Sequence, residues 1–323
     1  MGKNLVVCCD GTNQQFSRVN TNVVHLFRSI VRHGDQQKAF YSPGVGTFAA
    51  PFFGIDVGRA LGRALGAAFG YGIQQNMEDA YRFLMNEYEP GDRVFLFGFS
   101  RGAFTARSLA SMIDRCGILY PHHDNMVQEI TRRYLRGDDA TRLRTFRETF
   151  ARPCKPWLVG VWDTVGALGC LISMRKFHNR RLSPGVRHAY HALALDEKRR
   201  PFSPTPWNES SAGDEQHIEQ RWFAGSHGDV GGMYRERGLA DITLRWMLEG
   251  SSQHGLLLQE GALARIQGDP TGVLHQKATG VWRLLGTRPR HYPSDALIDD
   301  SVQTRIEQVE GYHPAARPSD TSH

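Results

Sequence analysis

The chain has 323 residues, of which 40% are hydrophobic and 22% are charged, and its formal net charge is +6. This composition excludes an intrinsically disordered chain and is sufficient for one large core or two modest ones. No apolar stretch approaches the ~20 residues that span a bilayer, and no signal peptide is recognisable, which predicts a cytoplasmic protein unless a dedicated secretion system exports it.

Short apolar runs alternate with longer helical patterns, which is typical of an α/β fold with a mainly parallel sheet flanked by helices. The apolar runs predict strands at residues 4–9, 39–41, 93–97, 155–162 and 220–224. Helical spacing predicts helices at residues 76–88 and 103–113 and a late one beginning at residues 241–248. The polar regions 116–154 and 164–219 are predicted to be insertions in a single domain of residues 1–310, and residues 311–323 a flexible tail.

The five cysteines and the basic segment 174–201 say less about function than the motifs described below. The cysteines form no CxxC pair and are odd in number, so we expect them to be reduced and buried: Cys8, Cys9, Cys116, Cys154 and Cys170. The basic residues of segment 174–201 favour a solvated surface over a site for an anionic ligand or a membrane face. Aromatic residues are not interleaved there, so nucleic acid is not an expected partner.

A serine lies between two glycines in the sequence Gly98-Phe-Ser100-Arg-Gly102, after a strand pattern and before a helical one. In this G-x-S-x-G arrangement the serine is held on a tight turn, and the glycines remove side chains that would collide. The turn exposes the hydroxyl near the N-terminal end of the helix. Ser100 is therefore a candidate nucleophile, and the alternative is a polar residue at the end of a strand.

A serine nucleophile needs a histidine base, which in turn needs an acid that fixes its tautomer. One apolar strand pattern runs directly into Asp163, and another runs into His227. Since the carboxyl ends of parallel strands converge, Ser100, Asp163 and His227 are predicted to lie close together. Their order along the chain, Ser then Asp then His, is the order found in α/β-hydrolases. Asp229 is a second candidate acid, better spaced to orient the loop. The alternatives are an N-cap for Asp163 and a buried loop histidine for His227.

Four stretches resemble a known family: VVCCDGTNQ, FLFGFSRGAFTARSLA, VGVWDTVGALG and WFAGSHGDVGGMY. The family is an α/β-hydrolase family of bacteria and fungi, long known as a domain of unknown function, and its best-known relatives are type VI secretion phospholipase effectors. The resemblance extends roughly from Asn4 to Met247. It implies an α/β-hydrolase-like fold with the triad Ser100, Asp163 and His227, and hydrolysis of carboxylic esters. The candidate partners are then an ester or phospholipid substrate, a membrane surface contacted peripherally, and an immunity or carrier protein.

An acyl-transfer site also needs donors for the developing oxyanion. We predict the backbone N–H of Arg101 as one donor and that of Gly11 or Thr12, in the loop after the first strand, as the other. Asp10 opens the same loop and is a secondary candidate for the site; the alternative is a turn held by Asx bonding. We expect no cofactor. Asp10, Asp163 and Asp229 could approach one crevice, but they do not complete a metal-ligand set.

Other functions are compatible with parts of the sequence. The Asp-Gly-Thr of residues 10–12 after a strand is similar to haloacid-dehalogenase phosphatases, but Cys8 occupies the place of their nucleophilic aspartate. Residues 44–46 read Gly-Val-Gly, as in a dinucleotide loop, but Ala49 replaces the third glycine. The non-enzymatic alternative is a catalytically inactive hydrolase fold that acts as a binding module.

Segment 54–72 has glycine at every fourth residue, namely Gly54, Gly58, Gly62, Gly66 and Gly70. As one helix, this row would cost about 1 kcal/mol per glycine relative to alanine. Three charged side chains in the segment exclude a simple membrane span. We expect a mobile lid or lipid-contacting flap over Ser100, and the alternative is a helix packed tightly on its neighbour.

Overall fold

A parallel sheet forms the centre of the protein in the computed structural model, which describes residues 2–11, 19–44, 58–165, 181–275 and 286–319, with only the backbone for 58–71. Its seven strands are β1 (Asn4–Cys9), β2 (Gln37–Ser42), β3 (Arg93–Phe99), β6 (Leu158–Trp162), β7 (His188–Ala194), β8 (His217–Phe223) and β10 (Leu297–Ile298). Their order is β2-β1-β3-β6-β7-β8-β10, and every neighbouring pair is parallel.

Helices lie on both faces of this sheet. They are α1 (Asn22–Ser29), α2 (Gly58–Glu87), α3 (Arg101–Cys116), α4 (Asp124–Arg136), α5 (Ala140–Phe150), α6 (His227–Gly231), α7 (Gly238–Gln253) and α8 (Asp300–Gln308). Short 3₁₀ helices occur at Arg200–Phe202, Glu209–Ser211 and Leu263–Arg265. Two small ladders lie outside the central sheet, one pairing β4 (Ile118–Leu119) with β5 (Ala151–Arg152) and the other β9 (His291–Tyr292) with β11 (Arg317–Pro318).

The alternation of side chains along β1 shows how the layers form. Leu5 and Val7 are buried in the core shared with α2 and α3, whereas Val6 and Cys8 are buried in the core shared with α1 and α7. Successive side chains of a strand point to opposite faces, so a fully apolar strand needs helices on both sides. The strand is therefore central, and its carboxyl end is held firmly beside that of β3.

The structure confirms the α/β fold and the positions of the five predicted strands, which correspond to β1, β2, β3, β6 and β8. The helix predicted at 76–88 is the C-terminal part of α2, and the late helix is α7. Cys8, Cys9, Cys116 and Cys154 are buried and free, as expected, while Cys170 lies outside the described residues. No helix in the described part of the chain is long and apolar enough to cross a bilayer.

The prediction that residues 164–219 form an insertion outside the sheet is corrected, because these residues contain β7. This strand lies between β6 and β8 in the central sheet. Its sequence, HAYHALA, contains two histidines that hide the strand pattern. Within the described ranges, the predicted insertion at 116–154 adds α4, α5 and the small β4–β5 ladder but no strand of the central sheet.

The flexible tail predicted over residues 311–323 is also corrected, for its described residues up to Ser319. Arg317 and Pro318 form β11, and the Ala316 amide donates to the Leu195 carbonyl over 2.9 Å. The tail composition is polar, but backbone hydrogen bonds and buried Ala316 hold this stretch against the domain. Residues 320–323 lie outside the described residues.

The glycine-rich segment forms the first half of α2, which begins at Gly58. Residues 54–57 lie outside the described part of the chain, as do residues 45–50 of the dinucleotide-like stretch. The lid over Ser100 stays a prediction.

Candidate active site

Ser100 occupies a sharp turn between β3 and α3, with φ 57° and ψ −115°. Its amide donates to the carbonyl of Trp162 over 3.1 Å. A Cβ at Gly98 would overlap the Gly102 backbone, and a Cβ at Gly102 would overlap the carbonyl of Cys9. Both flanking positions therefore require glycine, and the serine adopts the left-handed backbone that a nucleophile elbow imposes.

Asp163 directly follows β6, the neighbour of β3. Phe99 pairs with Trp162 in the parallel register, so Ser100 and Asp163 follow the two strands at the same level. Asp163 also has a positive φ, of 39°, and its side chain is completely buried. Its amide donates to the carbonyl of Ala192 over 2.8 Å, and its Oδ1 accepts from the amide of Ala194 over 3.1 Å. The end of β7 thus fixes the backbone and carboxylate of Asp163.

His227 is the first residue of α6 and lies between the other two candidates. Its Nδ1 lies 2.6 Å from Asp163 Oδ2, and its Nε2 lies 2.9 Å from Ser100 Oγ. The imidazole packs between Phe99 and Phe202, with ring centroids 4.7 Å and 5.0 Å away. The structure therefore brings the three predicted residues together, with the imidazole oriented by an acid on one side and facing a hydroxyl on the other.

Arg290 makes a two-pronged ion pair with Asp163 that the sequence analysis did not predict. Nη1 lies 2.6 Å from Oδ1, and Nη2 lies 2.9 Å from Oδ2. Burial alone would raise the pKa of Asp163, but the Arg290 charge and the hydrogen bonds from His227 and Arg290 hold it well below its usual range. Asp163 is consequently an ionised carboxylate despite its burial.

A second ion pair lies beside the histidine. Glu197 Oε2 accepts from the backbone amide of His227 over 3.3 Å and pairs with Arg199 Nη2 over 2.6 Å. Burial would raise the pKa of Glu197, but its hydrogen bonds with Arg199 and that residue's charge lower it. The Arg199 guanidinium also lies 3.8 Å from the centre of the Phe202 ring, which contacts His227.

Asp229, the second candidate acid, does not contact the imidazole of His227 in any described hydrogen bond. Its Oδ2 accepts from the amide and hydroxyl of Ser226 over 2.9 Å and 2.8 Å, and its Oδ1 lies 2.7 Å from His275 Nδ1. Asp229 therefore fixes the start of α6, which agrees with the loop-orienting role that its spacing favoured.

Asp10 anchors the predicted oxyanion loop through hydrogen bonds to its buried carboxylate. Oδ2 accepts from the hydroxyls of Thr21 and Tyr41, each over 2.8 Å, and Oδ1 accepts from the Gly11 amide over 2.7 Å. Burial raises the pKa of Asp10 to about 6, against the effect of these bonds. The Gly11 amide is thus engaged by Asp10, which does not fit its prediction as an oxyanion donor. Thr12 lies outside the described residues.

Arg101, the other predicted donor, is the first residue of α3 and directly follows Ser100. Its amide lies at the positive end of a helix of 16 residues, where a negative charge is stabilised. Burial lowers the pKa of its guanidinium to about 10, so the side chain is a cation near neutral pH. The donor role of this amide stays a prediction.

The three aspartates that could have crowded one crevice have separate partners: Asp10 bonds Thr21 and Tyr41, Asp163 bonds Arg290, and Asp229 bonds His275. Across the described ranges, no group of three or more His, Cys, Asp or Glu side chains is arranged to hold a metal ion.

The sequence matches one known family over most of its length. Residues 3–250 match the model of the type VI secretion phospholipase effector Tle1-like catalytic domain. The chain belongs to the Tle1-like family. The family resemblance seen in the four motifs is thereby confirmed.

Three known proteins show similarity to this Tle1-like chain. An uncharacterized protein of Saccharomyces cerevisiae is 34% identical over 221 residues, which cover 62% of this chain and 32% of the yeast protein. The crystal structure of an uncharacterized protein from Pseudomonas aeruginosa has a TM-score of 0.47 at 16% identity, covering 83% of this chain and 49% of that one.

The structure of the Tle1 effector bound to the VgrG spike of the type VI secretion system has a TM-score of 0.35 at 19% identity, covering 72% of this chain and 51% of that one. This Tle1-like chain therefore spans about a third of the length of its yeast relative and about half of each solved chain.

The sequence analysis missed Arg290, Glu197 and Phe202 because none belongs to a motif of the Tle1-like stretches. Arg290 lies beyond residue 250, where the family match ends, and its partner Asp163 is 127 residues away in the chain. The available signal was chemical: a buried carboxylate needs a cation, and an arginine outside the motifs could supply it.

Proposed function

We propose that this Tle1-like chain is a serine hydrolase of carboxylic esters that acts on phospholipids. The observation that carries the proposal is the continuous hydrogen-bonded series from Ser100 Oγ through His227 to Asp163, with lengths of 2.9 Å and 2.6 Å. Membership of a family of phospholipase effector catalytic domains supports the lipid class of the substrate.

The series assigns a role to each residue. Ser100 Oγ attacks the ester carbonyl carbon while its proton passes to His227 Nε2, and Asp163 stabilises the resulting imidazolium. The tetrahedral intermediate then collapses, the bond to the alcohol breaks, and His227 returns the proton to the departing alcohol oxygen. Water attacks the acyl-enzyme with the same base, which releases the carboxylic acid and restores Ser100.

The surroundings of the triad favour this sequence of steps. The backbone amide of Arg101, at the N-terminal end of α3, is the proposed donor to the oxyanion. Losing one such donor typically costs about 3 kcal/mol of transition-state stabilisation. The packing of the imidazole between Phe99 and Phe202 fixes its plane, so that little reorientation is needed during the reaction.

A phospholipid substrate also implies contact with a lipid surface. Peripheral membrane contact, export by a secretion system, and a carrier or immunity partner are therefore part of this proposal, as family membership suggests. The ester carbonyl of the substrate must reach Ser100. Ser100 is only partly buried, whereas His227 and Asp163 are buried.

The test is labelling with a fluorophosphonate, in which serine displaces fluoride, together with hydrolysis of short p-nitrophenyl esters and phospholipid vesicles. We expect wild type to be labelled and active, and Ser100→Ala to lose both properties. Ser108→Ala is the matched control, since Ser108 lies on α3 and is buried away from the series. It should retain labelling.

Absence of labelling and turnover in folded wild type would contradict the proposal and favour the non-enzymatic binding module. Labelling with turnover of soluble esters but of no phospholipid would retain the serine hydrolase and reject the lipid class.

A further inference from the structure

A buried arginine from beyond the family match is paired with Asp163. Arg290 is 5% exposed and lies just before β9, in the segment 286–319 that follows the matched residues 3–250. Each terminal nitrogen of its guanidinium bonds one oxygen of Asp163 and one backbone carbonyl: Nη1 donates to Ala194 over 2.9 Å, and Nη2 donates to Phe202 over 2.6 Å.

We propose that Arg290 is a positioning residue for the triad, which aligns the Asp163 carboxylate and limits the proton affinity of the Asp163–His227 pair. This inference rests on the proposed serine hydrolase function. It makes segment 286–319 a part of the active site and not an appendage to the catalytic domain.

The alignment follows from the four contacts. A guanidinium presents its donors in a rigid plane that matches the two oxygens of a carboxylate. The carbonyls of Ala194 and Phe202 hold that plane from the other side, so the carboxylate of Asp163 cannot rotate without breaking several hydrogen bonds at once. A lysine has the same charge but cannot reproduce this arrangement.

The limit on proton affinity follows from the shared oxygen. Asp163 Oδ2 accepts both from Arg290 Nη2 and from His227 Nδ1. With Arg290 present, protonating the imidazole adds a second cation to the same buried carboxylate. Without Arg290, the whole negative charge of Asp163 would face the imidazole, and the pair would bind a proton more tightly, whichever residue carried it.

The other charged or titratable groups around the pair do not replace Arg290. Glu197 faces the His227 backbone and is paired with Arg199. His191 accepts from the Thr164 amide over 3.1 Å, and burial, with a contribution from the Arg107 charge, lowers its pKa to about 3, so it is neutral in the working range.

The experiment measures kcat and kcat/KM for a soluble ester against pH, per active site titrated with the fluorophosphonate. For Arg290→Met we expect the acid limb to move to higher pH by about one unit, the lower end of the shift that a close opposite charge produces. For Arg290→Lys, which retains the charge, we expect an acid limb close to that of wild type and a kcat at least about 10-fold lower, because alignment is lost.

Arg305→Met is the matched control. Arg305 is equally buried in the same segment, but it donates to the carbonyls of Pro270 and Gly272, over 2.6 Å and 2.8 Å, and not to the triad. We expect its loss to lower stability without moving the acid limb. Titration of active sites corrects each variant for any unfolded fraction.

An Arg290→Met variant with the acid limb of wild type would overturn the limit on proton affinity. If that variant does not fold, Arg290→Lys decides, and a kcat equal to that of wild type would overturn the alignment role. Failure of the proposed function is recognised separately, because wild type itself would then be neither labelled nor active.

Discussion

The Cα of Gly102 lies so close to the carbonyl oxygen of Cys9 that a Cβ at this position would overlap the oxygen. Gly102 belongs to the first turn of α3, and Cys9 is the last residue of β1. The contact brings the backbone of Cys9 and Asp10 against the turn that carries Ser100. The second glycine of G-x-S-x-G therefore sets the distance between this turn and the carboxyl end of β1.

Gly102→Ala should accordingly destabilise the fold and misplace Ser100. The new methyl group meets backbone and not a flexible side chain, so we expect a loss of unfolding free energy of about 3 kcal/mol, at the upper end of overpacking costs. Chemical denaturation and fluorophosphonate labelling measure the two effects. Gly34→Ala is the control, since no atom of the described residues lies within 4 Å of a Cβ there, and it should be neutral or slightly stabilising. Equal stability of the two variants would contradict the contact.

Asp163→Asn tests the acid of the triad. An amide cannot hold the imidazole in the required tautomer, so kcat should fall by about 10⁴-fold, as for the equivalent change in serine proteases. The change also leaves Arg290 with a neutral partner, and breaking a buried ion pair costs about 3–5 kcal/mol of stability. Ester hydrolysis and thermal unfolding check the two losses.

Asp92→Asn is the control for that variant, because Asp92 pairs with Lys3 at the amino ends of β1 and β3, whereas Asp163 follows the carboxyl end of β6. It should also lose stability, because the Asp92 carboxylate is largely buried, but it should keep full turnover per labelled site. An Asp163→Asn variant with at least a tenth of wild-type turnover would remove Asp163 from the proposed triad.

The proximity of Ser100, Asp163 and His227 was predictable because each follows an apolar strand pattern in a sheet whose strands are all parallel. The carboxyl end of a strand is recognisable from the local sequence. Because the strands are parallel, residues at these ends lie close together in the fold. The serine motif added the backbone turn, which the positive φ of Ser100 shows.

The remaining parts depended on distant contacts. β7 was not recognised because His191, in its middle, is polar in the sequence, yet it is fully buried and bonded to the Thr164 amide and to Gln220. Arg290 was not recognised because only the folded chain places it beside Asp163. Neither feature leaves a periodic pattern that a sequence reading detects.

A cluster of three histidines predicts loss of stability in acid. His188 stacks on His254 with ring centroids 3.6 Å apart, and His217 lies 6.3 Å from His188. Burial, with contributions from the His254 and His217 charges, lowers the pKa of His188 to about 4. The unfolded chain titrates near 6.5 and so binds more protons below that pH, which means that stability is full above pH ~6.5 and is lost as the pH falls toward 4.

His188→Phe isolates this contribution, because Phe keeps a ring against His254 and the buried Nδ1 of His188 has no hydrogen-bond partner in the described part of the chain. We expect the difference in unfolding free energy between pH 7 and pH 4.5 to shrink by about 1 kcal/mol, a value reduced for the partial exposure of His188. Urea denaturation at both pH values measures it. An unchanged difference would show that the cluster does not control acid stability.

The last described residues of the chain should contribute to stability through Asp196. Its Oδ2 accepts from the Tyr312 hydroxyl and its Oδ1 from the Ala315 amide, both over 2.9 Å, and the Gly225 amide donates to the same carboxylate over 2.7 Å. The Arg317 amide also donates to the carbonyl of Arg290 over 3.0 Å. The end of the chain thus supports the backbone of the residue that contacts Asp163.

Removing residues 311–323 should therefore lower the unfolding free energy by about 3 kcal/mol, because a buried carboxylate loses two of its donors. Tyr312→Phe removes only the hydroxyl and should cost about 1 kcal/mol. Tyr120→Phe is its control, since Tyr120 is 48% exposed and the change should be close to neutral. If the truncated chain unfolded at the same denaturant concentration as the full chain, the contacts of Asp196 with the tail would have no energetic weight.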